Sequence, residues 1–193
     1  SMKSLLDRYD NIVGLIHFAA YKSVEESIIN PEKYYLNNIG SMKTIVKLCE
    51  ELQLQNLIFS SSCTVYGNPT ELPVNESSPF KKAFSPYAET KQLCEKILEI
   101  SNINSVSLRY FNPIGSHYSA KIGDRSSDKP SNLIPIITQV ATRKRKTLIV
   151  NGTDYETIDG SCVRDYLHVV DLAKSHIAAL SLVRKNKGKH TFN

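Results

Sequence analysis

Apolar positions in this chain fall into two alternating patterns, short unbroken runs and longer stretches with a helical period. Residues 12–18, Ile-Val-Gly-Leu-Ile-His-Phe, form a run suited to a strand buried on both faces. Residues 23–30 suit a short helix that stops at Pro31, whose ring keeps the preceding residue out of helical geometry. Over residues 32–54 apolar side chains recur at Ile39, Met42, Ile45, Val46 and Cys49, which predicts one face of a long helix. A second buried run, NLIFS at 56–60, leads into a loop dense in Ser, Asn and Pro from 61 to 86. Residues 87–101 are helical again, with a stripe of Leu93, Cys94, Ile97 and Leu98, and 106–110 reads as a third strand. Strand, helix, strand, helix, strand at these separations predicts parallel strands joined by right-handed crossovers, an α/β doubly wound sheet.

After residue 112 the pattern loosens. A helix at 132–143, a strand at 147–151 and a helix at 171–184 predict a smaller lobe over 113–193, following a first domain over 2–112. No internal repeat or low-complexity tract interrupts either. The 193 residues, 41% of them hydrophobic, are enough for a core of ordinary size. Charged residues make up 22% with a net charge of +5, which excludes global disorder and a field of the size that nucleic-acid binding needs. RKRK at 143–146 reads as a solvated helix end.

No apolar run approaches the roughly eighteen residues of a membrane span. Residues 1–3 lack the apolar stretch of a signal peptide, and Ser1 before Met2 looks like a tag remnant, so a soluble cytoplasmic protein with no membrane partner is expected. Cys49, Cys63, Cys94 and Cys162 are widely spaced without a C-x-x-C, which fits neither a zinc site nor a disulfide framework and predicts reduced, mostly buried thiols and no metal.

The chemistry is concentrated in "SPYAETK", residues 85–91. Residues four apart on a helix share a face, so the Tyr87 phenol and the Lys91 ammonium can reach one site. A tyrosine is a poor base at neutral pH, and a neighbouring ammonium favours its phenolate. Y-x-x-x-K alone is common by chance. Here it follows a buried strand and its loop, the end of an open α/β sheet where ligands bind. "SSSCTVYG", 60–67, supplies hydroxyls at the same rim.

Four ordered motifs, "SSSCTVYG", "SPYAETK", "LRYFNPIG" at 108–115 and "VRDYLHVVDLA" at 163–173, resemble the UDP-glucose 4-epimerases of the extended short-chain dehydrogenase/reductase family. "IHFAAYKSVEES" and "YYLNNIGS" extend the similarity toward the start. Related dehydratases place an acidic pair where this chain has Cys63-Thr64. The resemblance implies a partial Rossmann-like sheet, with part of a nucleotide-sugar-binding lobe after it. It implies NAD-dependent interconversion of UDP-glucose and UDP-galactose through a 4-keto sugar, a step of galactose metabolism. Tyr87 would be the base, Lys91 would hold it as phenolate, and Ser62 would bond the same sugar oxygen. Phe18, Ala19, Lys22, Asn37, Tyr87, Lys91 and Phe111 would line the NAD, and Ser62, Asn112, Asn132 and Arg164 would hold the UDP-sugar. The helices at 32–54 and 87–101 would pair in a homodimer.

Several residues depart from the family pattern. Ala20 or Tyr21 stands where a glycine is usual, Asn151 stands where an aromatic precedes Gly152-Thr153-Asp154-Tyr155, and the loop at 121–132 differs. The eight glycines never fall at the spacing of a dinucleotide phosphate loop. The resemblance therefore makes this chain a central piece, beginning before the fourth strand and stopping inside the substrate lobe, with 12–18 as an open edge. Such a piece alone is expected to be weak or inactive. The competing readings are another nucleotide-sugar epimerase or dehydratase of the superfamily, and a non-catalytic fragment acting as a binding module.

Overall fold

The computed structural model describes residues 4, 6, 8–124, 130, 132–150 and 152–193. Ser1 to Lys3, Asn151 and much of the 121–132 loop lie outside the described residues. The chain forms two compact units, Ser1–Tyr110 with Lys174–Asn193, and Phe111–Ala173. The last twenty residues thus belong with the first unit, and the boundary falls two residues before the one the pattern suggested.

The first unit is built on four parallel strands: β1 (Leu15–His17), β2 (Asn56–Ser60), β3 (Asn104–Leu108) and β6 (Lys189–Phe192), in the order β1-β2-β3-β6. Residues of β2 alternate between two apolar layers. Leu57 and Phe59 pack with Met42, Ile45, Val46 and Cys49 of the helix Gly40–Glu51 and with Cys94 and Leu98 of the helix Pro86–Ile100. Ile58 faces the other way, with Val106, Leu108 and the Ala179 and Val183 side chains of the helix Val169–Lys185. Helices therefore cover both faces, which is why β2 reads as a continuous apolar run. Each such side chain, fully buried, contributes about 1.5–3 kcal/mol.

The expected helix at 32–54 is broken into Pro31–Tyr34, a π-helical turn at Tyr35–Ile39, and Gly40–Glu51. The π turn exposes Asn37 and buries Asn38. Asn38 accepts from the Tyr21 N–H at 2.9 Å, donates to the Tyr21 carbonyl at 3.0 Å, and donates to Thr90 Oγ1 at 3.2 Å. The loop after β1 is thereby tied to the helix Pro86–Ile100. Before it, Ser23 caps Val24–Ile29, its hydroxyl accepting from Glu26 N–H at 3.2 Å.

β3 begins two residues earlier than the apolar run suggested, because Ser105 and Ser107 face the helix Pro86–Ile100 side as buried polar residues. β6 has no apolar run to announce it and exists through its pairing with β3. Lys189, its first residue, donates to the carbonyls of Leu98 and Ile103 and to Ser101 Oγ, which satisfies the end of the helix Pro86–Ile100.

The second unit contains a short parallel pair, β4 (Asn112–Ile114) with β5 (Tyr166–His168), and the helix Leu133–Ala141. Residues 147–150 form no strand; Leu148, Ile149 and Val150 are exposed and pair with nothing in either sheet. Among the described residues, no helix is long and apolar enough to cross a membrane. None of the four cysteines is in a disulfide: Cys49 and Cys94 are buried, Cys63 is half-buried and Cys162 is exposed.

Candidate active site

Parallel strands align their C-terminal ends along one rim. In the first unit that rim carries Phe18 and Ala19 after β1, Ser61 and Ser62 after β2, and Arg109 and Tyr110 after β3. The two motifs that bring chemistry there are locally self-organising. In "SPYAETK", Ser85 is extended (φ −153°) and its hydroxyl accepts from the Ala88 N–H at 3.2 Å. Pro86 occupies the first helical turn, where its missing N–H costs nothing. Tyr87 and Lys91 follow one turn apart. In "SSSCTVYG", Ser62 caps the 3-10 turn Cys63–Tyr66 by accepting from the Thr64 N–H at 3.3 Å. Gly67 ends that turn at φ +62°, where an added Cβ would stand 2.5 Å from the Lys82 carbonyl oxygen.

Lys91 is buried, and its ammonium donates to the Ser60 carbonyl at 2.7 Å. It sits 4.8 Å from the centre of the Phe59 ring and 5.9 Å from that of Tyr87. Burial lowers its pKa to about 8, opposed by the charges of Cys94 and Glu95. Burial pushes the Tyr87 phenol's pKa up, and the neighbouring Ser62 hydroxyl works in the opposite direction. Burial thus outweighs the lowering that an adjacent ammonium would bring. His17, buried and stacked against Phe59 with ring centres 5.9 Å apart, has its pKa lowered to about 4 by burial and then by Lys91.

Phe18, Ala19, Lys22 and Asn37 are all exposed. The Phe18 ring lies 4.4 Å, centre to centre, from that of His176, a residue that no sequence motif singles out. His176 is buried, and its Nε2 is 2.9 Å from Ser60 Oγ, on the residue whose carbonyl holds Lys91. Asn38, next to the expected Asn37, and the pair Glu95–Arg109 were also missed. Glu95 stands four residues beyond Lys91, so helical spacing could have found it.

The remaining candidates belong to the second unit. Phe111 is half-buried. Asn112 opens β4, and both its backbone N–H and its Nδ2 donate to the Asp165 carbonyl, at 3.2 and 2.9 Å. Asn132 is exposed at the start of the helix Leu133–Ala141 without a side-chain capping bond. Arg164 is exposed, with Nη1 donating to the Val163 carbonyl at 2.8 Å. Among the described residues no group of His, Cys, Asp and Glu could hold a metal ion.

A parallel sheet with helices on both faces, carrying a serine, a tyrosine and a lysine at the C-terminal ends of its strands, is a Rossmann-like α/β domain. The family model for the NAD dependent epimerase/dehydratase family matches residues 1–193. The chain belongs to that family. It is 47% identical over 182 residues to the UDP-glucose 4-epimerase of Dictyostelium discoideum, covering 92% of this chain and 53% of that protein. With the Homo sapiens UDP-glucose 4-epimerase it shares 41% over 198 residues, 100% of this chain and 57% of that one. A crystal structure of UDP-glucose 4-epimerase from Brucella ovis in complex with NAD superposes with a TM-score of 0.94 at 37% identity, over 100% of this chain and 59% of its own. The Bifidobacterium longum enzyme in complex with NAD+ and UDP gives 0.92 at 39%, over 100% and 58%. The chain spans about half the length of the curated relatives it matches.

Proposed function

We propose that the protein carrying this chain interconverts UDP-glucose and UDP-galactose by NAD-dependent epimerisation at C4. The observation that carries this reading is a tyrosine and a buried lysine one helical turn apart, Tyr87 and Lys91, with the Lys91 ammonium 5.9 Å from the centre of the Tyr87 ring and donating to the Ser60 carbonyl, at the rim where a parallel sheet receives ligands. The relatives of known activity point to the same reaction.

The residues at the rim fit NAD. Lys91 carries more N–H donors than its bond to the Ser60 carbonyl uses, which suits ribose hydroxyls. Phe18 and the small Ala19 present an exposed surface for a flat ring, while Lys22 and Asn37 are exposed polar groups beside it. In this reading Phe111 also lines the cofactor. When bound, NAD supplies a reversible acceptor for the hydrogen on C4. Tyr87 takes the proton of the sugar 4-hydroxyl, and Ser62, whose hydroxyl favours the ionised phenol, holds the same oxygen and fixes the line of transfer. Lys91 offsets the negative charge that Tyr87 acquires. With the keto sugar turned over, Tyr87 would return the proton to the C4 oxygen as the hydride goes back to C4 on its other face, so that C4 would be inverted without net redox change. Asn112, Asn132 and Arg164 hold the nucleotide-sugar, with the Arg164 guanidinium on the diphosphate. The finer setting is galactose metabolism in the cytoplasm by a homodimer.

The test is Tyr87→Phe in the protein that carries this chain. It is expected to lose about a hundredfold or more in turnover while keeping its affinity for NAD by calorimetry. Near-normal epimerisation by the variant would sink the reading.

A further inference from the structure

The segment that carries Ser62 is held by several side chains, and apart from Lys91 no catalytic step uses them. Three residues of the helix Pro86–Ile100 reach it. Lys91 takes the Ser60 carbonyl at 2.7 Å, Gln92 Nε2 donates to the Val65 carbonyl at 2.7 Å and the Lys81 carbonyl at 2.8 Å, and the carboxylate of Glu95 accepts from Ser61 Oγ. Arg109, just after β3, grips Glu95 with one edge of its guanidinium, Nη2 to Oε2 at 2.7 Å and Nε to Oε1 and Oε2 at 3.1 and 3.2 Å. Its Nη1 donates to Tyr66 Oη at 3.0 Å and to the Glu76 carbonyl at 3.2 Å, so it also fixes the far end of the 3-10 turn. The guanidinium lies over the rings of Tyr66 and Phe80, 5.1 and 4.9 Å from their centres.

Glu95 and Arg109 are 8% and 6% exposed, and a pair taken so far out of water is commonly no more stable than the apolar side chains that could replace it. What it supplies is direction. Ser61 has one hydroxyl and a fixed acceptor, and that bond orients the peptides on either side of it: the carbonyl that holds Lys91 and the residue whose hydroxyl neighbours Tyr87.

We propose that Glu95, held in place by Arg109, is a positioning residue for Ser62, Tyr87 and Lys91, acting through Ser61. This inference rests on the epimerase reading for its kinetic consequence. Electrostatics supports it, because Glu95 favours the charged form of Lys91. The other titratable groups that face Lys91 are Cys94 and Tyr87 on its own helix and His17 on β1.

Two variants of the protein that carries this chain test it, by steady-state kinetics across neutral to alkaline pH and by NMR titration of the Lys91 side chain. Ser61→Ala removes the hydroxyl without unpairing a charge. It is expected to fold as the parent does and to lose about tenfold in kcat, the rate equivalent of one hydrogen bond, with KM nearly unchanged. Glu95→Gln removes the carboxylate charge and leaves Arg109 uncompensated. Both changes disfavour the ammonium, so Lys91 titrates at lower pH than in the parent and the alkaline limb of kcat moves toward neutrality. A folded Ser61→Ala protein with parental kcat overturns the proposal, as does a folded Glu95→Gln protein with unmoved Lys91 titration. If Glu95→Gln does not fold, Ser61→Ala decides. Absence of epimerisation in the unmodified protein sinks the functional reading instead; the Lys91 titration in Glu95→Gln then still decides whether Glu95 governs that ammonium.

Discussion

The side chains assigned to proton transfer and those assigned to the nucleotide-sugar differ in how the fold holds them. Ser62 and Lys91 are 7% and 5% exposed, and each already has a partner: Ser62 the Thr64 N–H, Lys91 the Ser60 carbonyl. Asn132 and Arg164 are exposed, and the Arg164 guanidinium donates to the carbonyl of its own neighbour Val163. A group that moves a proton must be within reach before the substrate arrives. A group that binds a flexible diphosphate can swing onto it. The first set should therefore register in stability and chemistry together, the second in binding alone.

The sharpest way to stress the first set is Arg109→Met, which strands the Glu95 carboxylate in the interior. Leaving one member of a buried pair costs about 3–5 kcal/mol, and the midpoint of urea unfolding should fall accordingly. Adding Glu95→Leu should return much of that loss. If the single and double variants unfold alike, the pair is not what holds this side of the rim.

Next in size is the pH dependence carried by His17. Its proton leaves near pH 4 in the folded chain and near 6.5 when exposed. Between those values the unfolded state binds more protons, so stability rises with pH across this window and is lost as pH falls toward 4. The full change is about 3 kcal/mol. Unfolding of His17→Asn, which carries no titrating ring, should show a flatter profile between pH 4 and 6.5; an unchanged slope would place the acid sensitivity elsewhere. Lys91 behaves in the same sense at the other end of the scale. Its lowered pKa of about 8 means that stability gains as pH rises from there toward 10.5.

Ser85→Ala is smaller. It removes the hydroxyl that caps the helix bearing Tyr87 and Lys91, a loss of about 1 kcal/mol, measured as a lower Tm. Because Tyr87 lies in the first turn, kcat should fall further than one kilocalorie of global stability explains. A Tm loss with unchanged kcat would mean that the turn is held by its tertiary contacts instead.

Much of this first region was legible in the chain. β2 was read at its observed limits because both of its faces are apolar and covered, and the helix carrying Tyr87 was read to within one residue at each end because Ser85-Pro86 announces its start. The four-residue spacing of Tyr87 and Lys91 made their shared face visible. The long-range contacts that support them were not visible. Glu95 finds Arg109 across fourteen residues and Ser61 across thirty-four, and His176 finds Ser60 across 116, separations that only the folded sheet brings together. β4, β5 and β6 are three or four residues long and owe their form to pairing, so no period marks them. The apolar run at 148–150 shows the converse, a strand-like composition that pairs with nothing and remains exposed.

Arg164→Ala has the smallest expected effect on the fold and tests the other half of the comparison. The guanidinium is exposed and bonds a carbonyl one residue away, a contact that water can replace, so the unfolding midpoint should shift by no more than about 0.5 kcal/mol in free energy. Its loss should instead raise KM for UDP-glucose, since a bidentate cation on a diphosphate is among the stronger polar contacts. Arg164→Lys separates charge from geometry: a lysine keeps the charge as a point and loses the planar fork, so it should recover part of the affinity and not all of it. Equal KM in the parent and both variants would remove Arg164 from the binding set. A large drop in stability would show that an exposed side chain of the second unit is held as firmly as the buried ones of the first, and the division of roles between the two regions would fail.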